Sequence, residues 1–179
     1  MTDNFAENKL LAAFNHGWES SEDRLIYFGK SQKNSSLDKI ARSTEHGRVL
    51  SAALSISDIH SALAESLYSR GATALVNVSM ISARIFGELC KSIDATEAKK
   101  ERLLALCIFS VSQYINEKTT GEKIKKKDIC DHLKLPPSKF SAYKKEYELV
   151  LSLIKKIDLQ VLNAVHNYFV ENSDKSEAA

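Results

Sequence analysis

The stretch Lys127-Asp-Ile-Cys-Asp-His-Leu-Lys-Leu-Pro-Pro-Ser-Lys-Phe-Ser-Ala-Tyr-Lys-Lys145 decides how this chain is to be read. Its first seven residues predict a short helix ending at Leu133. Lys134 to Pro137 reads as a turn, and a longer helix is expected from Ser138. Proline lacks an amide hydrogen and is tolerated in a helix only in the first turn, so Pro136 and Pro137 close one helix and pre-set the next. Helix, tight turn and helix over about 127–146 is a helix-turn-helix layout. Such a unit needs apolar residues on its inner side and a small residue where the helices cross. Ile129, Leu133, Leu135, Phe140 and Tyr143 meet the first need and Cys130 the second. Lys134 stands where a turn glycine is usual, which predicts a positive φ at a residue with a side chain.

In this reading Ser138, Lys139, Ser141, Ala142, Lys144 and Lys145 face outward near the start of the second helix. Those are the positions that reach a major groove, with Ser138, Ser141 and Lys145 expected deepest and Lys139 and Lys144 flanking. The segment from Lys118 to Lys145 holds nine lysines against Glu122, Asp128 and Asp131, a net of +6. The whole chain carries +2, so the remainder totals −4. A basic segment on an otherwise acidic chain suits neutralisation of nucleic-acid phosphates, and Lys123, Lys125, Lys126 and Lys127 are the expected backbone contacts.

Outward from this segment the periodicity is helical and strand-type alternation is nowhere sustained, so the fold is expected to be all-α. Ser57 is positioned to cap a helix over Asp58 to Tyr68, with Ile59, Leu63 and Leu67 on one face. A helix over Ala72 to Cys90 follows Gly71, with Leu75, Val78, Ile81, Ile85 and Phe86 as its stripe. Asp94 with Glu97 resembles a capping box opening a third helix through Asn116. The core face of that helix is read as Leu103, Leu104, Cys107, Ile108, Val111, Tyr114 and Ile115. The polar stretch 31–48 is expected to be a flexible linker. The domains expected are therefore a helical arm over 1–30 containing Trp18, the linker over 31–48, a compact helical domain over 49–170 and a polar tail over 171–179.

Composition and motifs narrow the function classes. Cys90, Cys107 and Cys130 form no closely spaced pair, which argues against a disulfide framework and against a zinc site built from paired cysteines. No metal or other cofactor is expected. No apolar run approaches the length that spans a bilayer and the first residues lack a signal pattern, so a cytoplasmic protein without a membrane partner is expected. The five histidines are scattered, and no phosphate-binding loop, nucleophile elbow or zinc-protease motif is present. A non-enzymatic binding protein is the expectation, with double-stranded DNA as the partner of the lysine-rich segment.

The order of elements resembles a known family. Leu54-Ser-Ile-Ser-Asp-Ile-His60, the Ser69-Arg-Gly-Ala72 turn, the apolar run from Leu103 to Tyr114, Leu135 to Lys145 and Asp158-Leu-Gln-Val-Leu-Asn-Ala-Val165 occur in the order seen in late-gene antiterminators, the Q proteins of lambda-like phages. The resemblance covers roughly Leu54 to Val165. It implies a protein that binds DNA overlapping a late promoter, engages bacterial RNA polymerase through its sigma and flap regions, and makes the enzyme read through terminators. By position it puts DNA contacts on Lys139 to Lys145. Many members carry a cysteine-paired zinc loop before this point, where Thr119-Thr-Gly-Glu-Lys-Ile-Lys-Lys126 contains neither Cys nor His. Two other binding readings stay open. One is a dimeric repressor using the same helices on an operator, the other a protein that binds polymerase and never touches DNA.

Overall fold

The computed structural model describes residues 5–15, 36–69, 74–93, 96–123 and 125–177. Among these residues every regular element is helical and none is a strand, so the all-α expectation holds. The elements are α1 (residues 5–15), α2 (Ser36–Leu54), α3 (Asp58–Tyr68), α4 (Ala74–Ser92), α5 (Glu97–Thr120), α6 (Lys126–His132), a 3-10 helix (Pro137–Ala142) and α7 (Lys144–Glu177). Two compact units result: α1 to α3 with α7 from Gln160 onward, and α4 to α6 with the 3-10 helix and α7 up to Leu159. The single domain expected over 49–170 is thus two units. Trp18, Gly71 and Asp94 lie outside the described residues.

In the first unit α1 buries Ala6, Leu10 and Ala13, spaced by four and three on one helical face. Lys9 pairs with Glu45 at 2.6 Å, and Asn15 Nδ2 donates to the carbonyls of Leu11 and Tyr68 at 2.8 and 3.1 Å. The Phe5 ring meets Phe169 edge-on at 5.2 Å. This corrects the expectation of a separate N-terminal arm, because the buried face of α1 belongs to the unit's core. The linker expected over 31–48 is also corrected, since the chain is helical from Ser36. Val49 and Ala53, four apart, are fully buried, while Thr44, Gly47 and Arg48 are exposed. Polarity that suggested a linker is, at these positions, the solvent side of a helix. At the other end no glycine or proline interrupts Val170 to Glu177, and α7 continues where a polar tail was expected.

Helix α3 starts and stops as its sequence indicates. Ser57 occupies the N-cap with extended backbone, but its hydroxyl bonds the His60 Nδ1 at 2.7 Å instead of a backbone amide. His60 Nε2 lies 2.9 Å from the Gln160 Oε1, an acceptor, which puts the ring proton on Nε2 and leaves Nδ1 to accept from Ser57.

The second unit is built on α4 packed against α5. Val78, Ile81, Ile85 and Leu89 of α4 are buried, as are Leu103, Leu106, Cys107, Val111, Tyr114 and Ile115 of α5. Thr96 takes the N-cap of α5, two residues beyond the expected Asp94. Leu104 and Ile108, expected on the core face, are 37% and 38% exposed. At 100° per residue they sit on the flank of a stripe centred near Leu103, Cys107 and Tyr114, so the buried stripe is narrower than the apolar one. Helix α5 ends at Gly121, whose φ of 76° is the left-handed conformation that glycine adopts without strain.

Candidate nucleic-acid interface

The lysine-rich segment is anchored on α5 through its apolar residues. Ile129 and Cys130 of α6, Leu133 after it, and Phe140 and Tyr143 of the following turn form one buried cluster with Leu103 and Leu106. Phe86, Phe109, Leu135 and Tyr147 pack around it. Cys130, expected where two helices cross, is fully buried within this cluster. Every inner residue expected of the two-helix unit is thus buried or packed on this cluster. At the start of α6 the Asp128 Oδ2 accepts the Lys125 amide at 3.1 Å. The reciprocal half of a capping box cannot form, because a lysine ammonium has no acceptor.

The turn after α6 is a Schellman motif, the double hydrogen-bonded stop of a helix. The Leu135 amide donates to the Cys130 carbonyl at 2.9 Å and the Lys134 amide to that of Asp131 at 3.2 Å. Lys134 holds φ at 51°, among the described residues the one non-glycine residue at positive φ. The strained lysine expected from the missing turn glycine is therefore present. Leu135 returns onto the cluster, and Pro136 follows where the helix has stopped.

What comes next departs from the expected layout. Pro137–Ala142 is a 3-10 helix, Tyr143 breaks it, and α7 starts only at Lys144. With three residues per turn, positions three apart eclipse. Phe140 and Tyr143 therefore share the buried edge, and Ser138 and Ser141 share an exposed one. The expectation of one α-helix from Ser138, with Ser138, Ser141 and Lys145 deepest along a single face, is corrected. Lys145 belongs to the first turn of a different helix. Pro137 takes the first 3-10 position, where its fixed φ is tolerated, and Tyr143 ends the element before α7 begins.

Lys123, Lys125, Lys127, Ser138, Lys139, Ser141, Lys144 and Lys145 are all exposed, as is Lys134. Lys126 opens α6, and its side chain lies outside the described set. Not every lysine is equally available. Lys144 lies 3.7 Å from Glu148, both well exposed, and Lys118 lies 3.4 Å from Asp158.

No family model, curated protein or solved structure matches this chain. Its function must be read from its own residues. Among the described residues no group of three His, Cys, Asp or Glu side chains converges as a metal site, and no helix is long and apolar enough to cross a membrane.

The contacts supporting the interface include several that periodicity did not reveal. Asp158, 3% exposed, accepts from the Tyr114 hydroxyl at 2.6 Å in addition to facing Lys118. Lys99 pairs with Glu146 in the first turn of α7 at 3.3 Å, and Arg102 donates to the Tyr143 hydroxyl oxygen at 3.3 Å. That hydrogen bond raises the Arg102 pKa further. Burial, helped by the charge of Glu117, raises the Tyr147 phenol. Burial and then the neighbouring Cys90 push the Cys107 thiol up to about 12, so it remains a neutral apolar filler. The one signal for the Asp158 contacts was an acid inside the apolar period of α7, four residues after Ile154.

Proposed function

We propose that this chain is a DNA-binding regulator of transcription, of the late-gene antiterminator kind its element order resembles. The observation that carries the DNA part is the division of one short segment into two faces. Ile129, Cys130, Leu133, Phe140 and Tyr143 are buried against α5, while Lys123, Lys125, Lys127, Lys134, Lys139, Lys144 and Lys145 are exposed from the same backbone. A folded scaffold that displays lysines loses less entropy on contact with phosphates than a flexible basic tail would. Double-stranded DNA is the partner of this face. RNA polymerase is the second partner, on the strength of the resemblance, and the reaction assisted is elongation through terminators. No catalytic step belongs to the chain in this reading.

A footprint of the purified protein on its neighbouring late promoter, with and without RNA polymerase, tests the proposal. Protection that depends on polymerase is expected, together with read-through of a downstream terminator in a transcription assay. Strong protection of a palindrome by the protein alone would replace the antiterminator with an operator-binding repressor. Polymerase binding without any DNA protection would remove the lysine face from the mechanism.

A further inference from the structure

We infer that Arg102 belongs to the DNA face as a clamp on a backbone phosphate, held out for that contact by the Tyr143 hydroxyl. The inference rests on the DNA-binding reading above and extends the face from the lysine-rich segment onto α5. The first observation is place. Tyr143 joins the 3-10 helix to α7, between the exposed Ala142 and Lys144. Its ring is buried in the core cluster, yet its hydroxyl oxygen accepts from Arg102 Nη1 at 3.3 Å. Three residues earlier on α5, Lys99 pairs with Glu146 in the first turn of α7 at 3.3 Å. Residues three apart share one edge of a helix, so two contacts set the same edge of α5 beside the junction that carries Lys144 and Lys145.

The second observation is charge. Three cations around this junction face carboxylates: Lys99 with Glu146, Lys100 with Glu97 at 2.6 Å, and Lys144 with Glu148 at 3.7 Å. Arg102 is exposed and has a neutral phenol as its partner. The rise in the Arg102 pKa comes from Tyr143, and no carboxylate contributes to it. A phenol fixes the direction of a guanidinium without cancelling its charge, whereas a carboxylate would do both.

The third observation is chemistry. After Arg84 the sequence contains a single arginine, Arg102, and every other permanent cation is lysine. A guanidinium presents its N–H donors in a planar fork that matches two oxygens of a phosphate, while a lysine ammonium is a point charge. The Tyr143 contact uses one donor and leaves the rest of the fork open. A side chain already held in position loses less freedom on binding than a lysine swinging in solvent. Backbone phosphate is the ligand class that fits. Arg102 is bonded to the edge that Phe140 and Tyr143 share, and not to the exposed edge of Ser138 and Ser141. That position suits the flank of a groove, where phosphates lie and contacts fix register without reading bases.

The test measures binding of the full-length protein and its variants to a panel of duplexes between about 50 and 200 mM salt. Arg102→Ala should weaken binding about three- to tenfold on every duplex alike and lower the magnitude of the log–log salt slope by about 0.9. Arg102→Lys should recover the slope but only part of the affinity, because a point charge replaces the fork. Tyr143→Phe should keep the slope and lose about two- to threefold in affinity, and that loss should vanish in the double variant R102A/Y143F. A Tyr143→Phe loss that persists undiminished in the double variant would overturn the positioning role of the hydroxyl. Unchanged affinity and slope in Arg102→Ala would remove Arg102 from the face while leaving DNA binding standing. A changed base-pair preference in Arg102→Ala would overturn the phosphate assignment in favour of a base edge. Absence of salt-dependent binding to any duplex by the parent protein, its helical circular dichroism intact, would overturn the DNA-binding reading itself. Arg102→Gln provides a second neutral variant should the alanine variant fold poorly.

Discussion

Replacing Lys134 by glycine should stabilise the protein and weaken its DNA binding at the same time. The two effects have separate origins. Lys134 sits at the left-handed position of the Schellman turn, with φ at 51° and both of the turn's hydrogen bonds formed. A side chain in that conformation costs about 1–2 kcal/mol, whereas glycine adopts it freely but loses about 0.5–1 kcal/mol more chain entropy on folding. The difference is a net gain of about 0.5–1 kcal/mol, worth a rise in Tm of roughly 1–4 °C for a cooperative chain of this size. Lys134→Ala keeps the strain and removes only the exposed side chain, so it should melt close to the parent. The gap between the two variants isolates the backbone term. Both variants remove one exposed cation and should reduce the magnitude of the salt slope on duplex DNA by about 0.9. Thermal and urea unfolding followed by circular dichroism, with fluorescence anisotropy on one duplex across salt, reads both quantities. A glycine variant less stable than the alanine variant would refute the strained-turn argument. An unchanged salt slope in both would take Lys134 out of the interface.

Further expectations concern the rest of the second unit. Gly121→Ala should cost about 0.5–1 kcal/mol by the mirror-image argument, because φ is 76° and an added methyl group meets nothing within 4 Å; urea unfolding measures it. Tyr114→Phe removes a 2.6 Å hydrogen bond to the buried Asp158 and should destabilise by about 1.5–3 kcal/mol, against at most about 1 kcal/mol for Lys118→Ala, whose ammonium is partly solvated at 3.4 Å. Equal losses from the two variants in chemical denaturation would mean the ion pair, and not the hydroxyl, holds the carboxylate. The Cys107 thiol, pushed from 9.0 up to about 12 when folded, binds its proton more tightly in the native state. Stability should therefore fall as pH rises from about 9 toward 12, by up to about 1.4 kcal/mol per pH unit, and Cys107→Ala should flatten that alkaline limb.

Most of the helical framework was legible because burial imposes a period of 3.6 on apolar residues. Helix α3 spans Asp58–Tyr68 as its face and N-cap indicate, and Ile129, Leu133, Phe140 and Tyr143 are buried as the two-helix pattern requires. The misreadings share a cause, which is that composition does not separate a polar helix from a linker. Helix α2 buries Val49 and Ala53 at its end, while Thr44, Gly47 and Arg48 face solvent, so the polar stretch before Val49 carried no visible stripe. The 3-10 winding over Pro137–Ala142 was also hidden. Phe140 and Tyr143, three apart, fit an α-helix as well as a 3-10 helix, and only the break at Tyr143 distinguishes them. Side-chain partners such as Tyr114 with Asp158, 44 residues apart, are set by tertiary packing that no local period encodes.

Under the proposed function, the charge distribution contributes orientation as well as affinity. On that reading the segment of +6 attracts DNA, while the remaining residues, which total −4, repel it on balance. Long-range attraction then orients the molecule during approach, and the same repulsion limits contact to the one face. Such an arrangement needs the lysines to be held, because a mobile basic tail would swing the positive charge and blur the orientation. The buried cluster of Ile129, Cys130, Leu133, Phe140 and Tyr143 on α5 supplies that rigidity, and the Schellman turn fixes the path between α6 and the 3-10 helix. The strain at Lys134 is the cost of keeping a cation at a position where glycine would fold better. A lysine retained there is the expected choice if the turn itself lies against phosphate, and an arbitrary one if it does not.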